Sequence, residues 1–272
     1  MNLESYRSNT FSQCGQDGVI AAILEKLHCG SGYCVEFGAW DGVYLSNTRR
    51  LLIQPQWAGC LIESDTARFA SLDRLYANRP DVSRKNVRIQ LTGEDSLDSI
   101  LSSVNAPKDF ELLSVDIDSD DYHIWASLRN FSPKIVLIET NPYFPLFIEF
   151  VQKPNSSYCP YGASALSMYK LGVSKGYVAV AYLDHDWLFV RQDVFEQLGI
   201  ERRSFVEMFV SGCEIRNNEK ISTGERYNLP GGLASRDMMD VRQTFNHQLD
   251  LFRDAAHHFH CLTSTTEFKD LV

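Results

Sequence analysis

Short, almost wholly apolar runs recur along the first two-thirds of this chain, separated by stretches of about ten residues with helical periodicity. The runs cover residues 33–39, 57–62, 87–91, 110–115 and 135–138. Before them, Val19, Ile20, Ile23, Leu24 and Leu27 share one helix face in 16–27, which Gly30-Ser31-Gly32 ends. Between them, 46–53 (with Ser46 as its cap), 67–76, 96–104 and 121–128 read as helices. Strands buried on both faces and joined by helices form right-handed βαβ units in a parallel sheet. Residues 164–175 then read as a helix, and 177–183 and 187–190 as strands around the tight turn Asp184-His185-Asp186. Five parallel strands plus an antiparallel hairpin predict a Rossmann-like α/β fold, with a seven-stranded mostly parallel sheet and helices on both faces. The expected division is a domain over 1–200 and a C-terminal extension over 201–272. That extension is polar and weakly patterned except for a helical stretch at 237–258, and is expected to pack on the domain or on a partner subunit.

With 26 basic and 35 acidic residues the net charge is −9. A nucleic-acid backbone or an anionic membrane selects the opposite balance, so neither is an expected partner. Small molecules, glycans or a second copy of the chain remain. No apolar run approaches the roughly 20 residues of a membrane helix, and the polar residues 1–14 carry no signal-like apolar core. The seven cysteines include no Cys-x-x-Cys pair, and Cys34 and Cys60 lie inside apolar runs. A reduced, cytoplasmic protein without structural zinc is expected.

In an open parallel sheet, ligands bind beyond the carboxyl ends of the strands, where the strand order reverses. The first run ends in Glu36-Phe37-Gly38-Ala39-Trp40-Asp41-Gly42. Glycine there permits positive φ and a close approach of the backbone to a nucleoside. The spacing is not that of the Gly-x-Gly-x-x-Gly dinucleotide fingerprint, and the acids Glu36 and Asp41 suit a cationic ligand. Taken alone, the segment reads equally well as an ordinary β–α turn. Glu63 ends the second run, where a carboxylate can accept from both ribose hydroxyls, and Asp65 competes with it.

The fourth run leads into Asp116-Ile117-Asp118-Ser119-Asp120-Asp121, and the fifth into Glu139-Thr140-Asn141. Like charges this close need solvent, hydrogen bonds or a cation. A hard ion such as Mg²⁺ or Ca²⁺ would take Asp116, Asp118, Glu139 and Asn141. The plain alternative for Asp120 or Asp121 is to cap the helix that follows.

Four elements together resemble the FkbM-like S-adenosylmethionine-dependent methyltransferases. They are Ser12-Gln13-x-Gly15-x-Asp17-Gly18, Val35-Glu36-Phe37-Gly38-Ala39-x-Asp41-Gly42, Ser46-Asn47-Thr48 and Trp57-x-Gly59-x-Leu61-Ile62-Glu63. The runs 112–122 with Trp125, and Pro133 to Asn141, extend the resemblance over roughly residues 10 to 190. It implies the class I methyltransferase sheet and O-methylation of a sugar, glycan or glycosylated natural product. It also implies a cofactor contact set of Glu36, Gly38, Ala39, Asp41, Ser46, Asn47, Glu63 and Asp116. Within that set Gly38 lies near the methionine moiety, Glu63 on the ribose and Asp116 near the sulfonium. The acidic strand ends are also similar to metal-dependent sugar O-methyltransferases.

A hydroxyl acceptor needs help in losing its proton. His123, just inside the helix after the acidic run, is the first candidate base, with Asp118 second and Asp116 beside the reacting centre. His185, in the hairpin turn, is expected to be simply exposed, and His257, His258 and His260 to belong to a solvated tail. The proline- and aromatic-rich stretch 142–162 offers Tyr143, Phe144, Phe147, Tyr158 and Tyr161 either to a sugar-stacking lid or to the core. Two other functions compete: a nucleotide-dependent oxidoreductase, and a non-catalytic binding protein that keeps the fold.

Overall fold

A computed structural model of the chain describes residues 2–142, 144–155, 162–223 and 263–265. The strands β1 (Gly32–Phe37), β2 (Trp57–Glu63), β3 (Val82–Asn86), β4 (Leu112–Val115), β5 (Ile135–Glu139), β7 (Tyr177–Leu183) and β8 (Asp186–Arg191) form one sheet in the order β3-β2-β1-β4-β5-β8-β7. The first five run parallel, and β8 is antiparallel to both β5 and β7. This is the Rossmann-like arrangement of class I methyltransferases, as the strand pattern predicts. A short strand, β6 (Ile148–Phe150), pairs separately with β9 (Thr263–Thr265).

The helices cover both faces of the sheet. They are α1 (Gln16–Lys26), α2 (Arg49–Leu52), α3 (Thr66–Leu75), α4 (Leu97–Ser103), α5 (Asp121–Ser127), α6 (Ala165–Ser174), α7 (Gln192–Leu198) and α8 (Phe205–Thr223). Successive strand residues point to opposite faces, which splits the core in two. Val35, Phe37, Cys60 and Ile62 pack in one layer with α4, α5 and α6, whereas Cys34 and Leu61 pack in the other with α1 and α2. The two thiols on neighbouring strands are therefore free, and burial raises both pKa values, that of Cys60 to about 12.

Two of these expectations need correction. The third strand is Val82–Asn86 and not 87–91. An edge strand of Val-Ser-Arg-Lys-Asn has no apolar alternation to reveal it, whereas Val87 adds a last hydrogen bond to Glu63 O and Val87, Ile89 and Leu91 pack against the core. Helix α7 follows β8 directly, at a stretch where the residue pattern sets no expectation. The region after Glu201, read as weakly patterned, opens with the 19-residue α8. Phe205, Val206, Met208, Phe209 and Val210 of α8 are buried in the core layer, so its first turns are apolar nearly all round. Periodicity fails for such a helix because there is no polar face to contrast with. The helical stretch expected at 237–258, the histidines 257, 258 and 260, and Tyr143, Tyr158 and Tyr161 lie outside the described residues. No helix among the described residues is long and apolar enough to cross a membrane.

Phe209 stacks on Tyr182 of β7, with ring centroids 5.3 Å apart and planes at 17°. Phe209→Ala should cost about 3–5 kcal/mol in denaturant unfolding. A loss below about 1 kcal/mol would show that α8 is not integral to the core.

Candidate active site

All five parallel strands discharge at one edge, and β1 and β4 are the neighbours from which the chain winds away in opposite directions. A crevice opens there. The β1 end is held by close backbone contact: Gly38 N–H donates to Ile62 O (3.1 Å) and Asp116 N–H to Phe37 O (3.3 Å). Gly38 has φ +77°, and a Cβ built on it would lie 1.7 Å from Asp116 O. The glycine is therefore demanded by the neighbouring strand's carbonyl, independently of any ligand.

The next turn is built around Glu36, whose carboxylate is buried. It accepts from Ser46 Oγ (2.7 Å), Asn47 N (2.7 Å) and Thr48 Oγ1 (2.6 Å). Burial raises its pKa, and these donors oppose the rise. Asp41 accepts from Val43 N and Tyr44 N at 2.9 and 2.8 Å, and so shapes the loop tip. The loop leaves Trp40, Val43, Tyr44 and Leu45 exposed at the rim, with the Arg68 guanidinium 3.3 Å from the Trp40 ring centroid.

The crevice has two adjoining lobes. The first, about 280 Å³, is lined by Gln13, Glu36, Gly38, Ala39, Ser46, Asn47, Glu63, Asp116, Asp118 and Glu139 among others, with Arg68 as its one cationic side chain among the described residues. The second, about 260 Å³, is lined by the apolar Ile62, Val87, Ile89 and Ile117 together with the polar Arg88, Ser119 and Asp120. The two share Phe37, Gly38, Ser64 and Ile117. The apolar run at 87–91 thus has its place in the second lobe and not in the sheet.

Glu63 and Asp65 take different tasks. Glu63 accepts from Trp40 N (2.9 Å) and Asp65 N (2.7 Å), one bond to each oxygen, which leaves lone pairs free on a carboxylate that lines the first lobe. Asp65 caps α3, accepting from Ala67 N and Arg68 N at 2.9 and 2.8 Å.

At the ends of β4 and β5, Asp116, Asp118 and Glu139 bring one carboxylate oxygen each within 4.8 Å of the others, a spacing that could hold a divalent cation. Asn141, the fourth expected ligand, donates its backbone N–H to Ala163 O (2.8 Å) and is not among the residues lining either lobe. Asp121 accepts from Ile117 N (2.9 Å) and Ser119 N (3.0 Å), and Asp120 accepts from Asn155 N (3.1 and 3.2 Å). Both aspartates hold the surrounding loops instead of capping α5. Burial, followed by the charge of Asp186, raises Asp116 to about 7; burial and then Asp116 raise Asp121 to about 7. Glu139 is raised well above the usual range by burial, Asp116 and Asp121.

His185 differs from expectation. Its side chain is only 14% exposed and lies between two carboxylates, with Nδ1 2.8 Å from Asp184 and Nε2 3.6 Å from Asp186. Burial lowers its pKa, but Asp186 and Asp184 outweigh this and raise it to about 9. The ring sits within the acid cluster, and its raised pKa makes it a counter-ion there when protonated, with the Gln13 amide turned so that its oxygen faces Nε2–H. A hairpin of acids flanking one histidine, read against the acids of β4 and β5, was the available signal. His123 is directed elsewhere: its Nε2 is 2.6 Å from Gln152 O, and it lines neither lobe. Phe147 is fully buried and Phe144 stacks on Phe150 at 4.5 Å, so this part of the aromatic stretch serves the core.

No family model matches this chain. No curated protein matches it either. Among solved structures, the N-terminal domain of EvdMO1 with SAH bound aligns over 66% of this chain and 84% of its own, at 12% identity and a TM-score of 0.43. CurJ carbon methyltransferase aligns over 69% and 56%, at 13% identity and 0.42. A putative sarcosine dimethylglycine methyltransferase from Galdieria sulphuraria aligns over 80% and 77%, at 11% identity and 0.42. The fold assignment rests on the strand order itself.

The clustered acids oppose folding at neutral pH. Asp116 and Asp121 have folded pKa values near 7 against 3.8 for the free group, so the folded state binds more protons across that window. Stability should fall as pH rises from about 4 to 7. Asp116→Asn should raise stability at neutral pH, on the order of 1–3 kcal/mol, and much less near pH 4. An equal effect at both pH values in denaturant titrations would remove the repulsion from the account.

Proposed function

We propose that this chain is an S-adenosylmethionine-dependent O-methyltransferase acting on a hydroxyl of a sugar, glycan or glycosylated natural product. The observation that carries the proposal is the two-lobed crevice, whose first lobe is lined by the Glu63 carboxylate and by those of Asp116, Asp118 and Glu139. A nucleoside and a cation fit that lining. The second lobe, with Ile62, Val87, Ile89 and Ile117 in its lining, would take the adenine, Glu63 would accept from the ribose hydroxyls, and Asp116 would lie toward the sulfonium. The motif series that resembles the FkbM-like enzymes supports the hydroxyl acceptor.

Methyl transfer is an in-line substitution. The acceptor oxygen bonds to the methyl carbon as the carbon–sulfur bond breaks, the electron pair stays on sulfur, and S-adenosylhomocysteine leaves. Alignment in the crevice supplies much of the rate. The acceptor's proton goes to Asp116, whose raised pKa of about 7 suits a base at neutral pH. Asp118 flanks it, and His185 offsets the accumulated charge. Asp116, Asp118 and Glu139 also fit a divalent cation, which would bind the acceptor's oxygens and make them more acidic.

A dinucleotide oxidoreductase fits less well. The β1 loop lacks the glycine spacing of a pyrophosphate cradle, and acids outnumber the single arginine in the first lobe.

In calorimetric titrations the protein should bind S-adenosylhomocysteine, and Glu63→Ala should weaken it at least tenfold. NADH binding without S-adenosylhomocysteine binding would overturn the proposal. Asp116→Asn should keep the affinity but reduce methyl transfer about 100-fold or more, scored as S-adenosylhomocysteine release from a sugar panel. Normal transfer would exclude Asp116 as the base.

A further inference from the structure

The segment before α1 is clipped to the β7–β8 turn at Asp184, His185 and Asp186. Cys14 Sγ donates to Asp184 Oδ2 (3.4 Å), the Gln13 amide meets His185 Nε2 (2.9 Å), and Gln16 Nε2 donates to Asp186. The segment is itself firmly built. Asp17 accepts from Thr10 N (3.0 Å) and Phe11 N (2.8 Å), and Asn9 Oδ1 accepts from Gly15 N (2.6 Å). The hairpin turn is fastened to the end of β5, where Thr140 donates to His185 O from both its N–H (2.9 Å) and its Oγ1 (2.8 Å). Of the three clipped side chains, only Gln13 also lines the first lobe, which it shares with Asp116, Asp118 and Glu139.

The Gln13 amide has two ends, and His185 decides which one is spent. His185 Nδ1 faces Asp184 at 2.8 Å, and its Nε2 has Asp186 at 3.6 Å. Ring nitrogens set against carboxylates carry hydrogens, so both are donors and the amide meets Nε2 with its oxygen. The NH2 end then has no partner among the described residues. Unlike the enclosed Gln16 Oε1, it is open to the lobe that Gln13 lines. The acids around it accept protons and hydrogen bonds, whereas Gln13 adds a donor that no change of pH removes. A donor suits an oxygen lone pair. It does not suit the oxygen being methylated, because it would tie up the electron pair that has to attack carbon. It suits a second oxygen of the same acceptor.

We propose that the Gln13 side-chain NH2 donates to an acceptor oxygen other than the one that is methylated, so that the segment before α1 selects the acceptor. The inference rests on the O-methyltransferase reading above and narrows its acceptor to compounds with a second oxygen near the reacting hydroxyl. It makes His185 the residue that sets the direction of the amide. It also gives residues 9–17 a task beyond starting α1, as one wall of the acceptor site.

The test measures methyl transfer, as S-adenosylhomocysteine release, to the methyl glycosides of glucose, galactose, mannose and xylose. The monodeoxy analogues of whichever is accepted are then compared. Gln13→Ala should raise KM for the accepted glycoside at least about tenfold, with kcat within about threefold and the Kd for S-adenosylhomocysteine within about twofold. One monodeoxy analogue should show the same rise on the wild type. On that analogue Gln13→Ala should change KM less than about twofold, because the contact is already gone. Gln13→Glu keeps an oxygen toward His185 and loses the donor, so it should repeat the loss, and it decides should Gln13→Ala not fold. An unchanged KM, or a loss spread equally over all the deoxy analogues, overturns the inference. So does a parallel loss of S-adenosylhomocysteine affinity, which would make the segment merely structural, and so does cofactor binding with transfer to none of the glycosides. If the wild type does not bind S-adenosylhomocysteine, the cofactor assignment itself fails and the inference falls with it.

Discussion

The buried carboxylate of Glu36 holds the crevice open. Three donors from Ser46, Asn47 and Thr48 converge on it, and burial raises its pKa against their pull. A carboxylate taken from water is tolerated only with such partners. Here they tie a ten-residue excursion back onto β1. The excursion carries the remaining parts of the site with it: Gly38 against the Asp116 carbonyl, Trp40 N–H on Glu63, and Asn47 over the β1–β4 boundary. Without the clasp, the loop loses the reason to stand where the strand order reverses.

A second constraint follows from the strand ends. Parallel strands place their terminal residues along one edge, and in this chain those residues are acids at four stations: Glu63, Asp116 with Asp118, Glu139, and Asp186 on the reversed β8. Register sets Glu139 directly beside Asp186. The repulsion is reduced in three ways: protons retained on carboxyls of raised pKa, the charged His185, and the Gln16 amide on Asp186. Such a cluster costs stability and is kept where a cation or a proton has to be handled.

Much of this was legible in the sequence because it follows from local rules. The buried strands β1, β2, β4 and β5 show as apolar runs, and the acids that end them stand at the sheet edge by topology alone. What was not legible depends on contacts distant in sequence. β3 is polar because it is an edge strand. The first turns of α8 are buried because α6, β7 and β8 surround them. The division of labour between Glu63 and Asp65 depends on which of them meets Trp40 N–H and which meets the first turn of α3. His185 reads as a turn residue until Gln13, from the other end of the chain, is brought beside it.

The central claim is that a nucleoside-bearing cofactor binds across the carboxyl ends of β1, β2 and β4. Hydrogen–deuterium exchange with and without S-adenosylhomocysteine measures this directly. Protection should appear in the segments that follow those strands, 38–47, 64–68 and 117–121, and in 87–89 of the second lobe. The loops at the opposite edge, around 30–32, 107–110 and 174–176, should be unchanged. Protection at the opposite edge, or none at 38–47, would contradict the account.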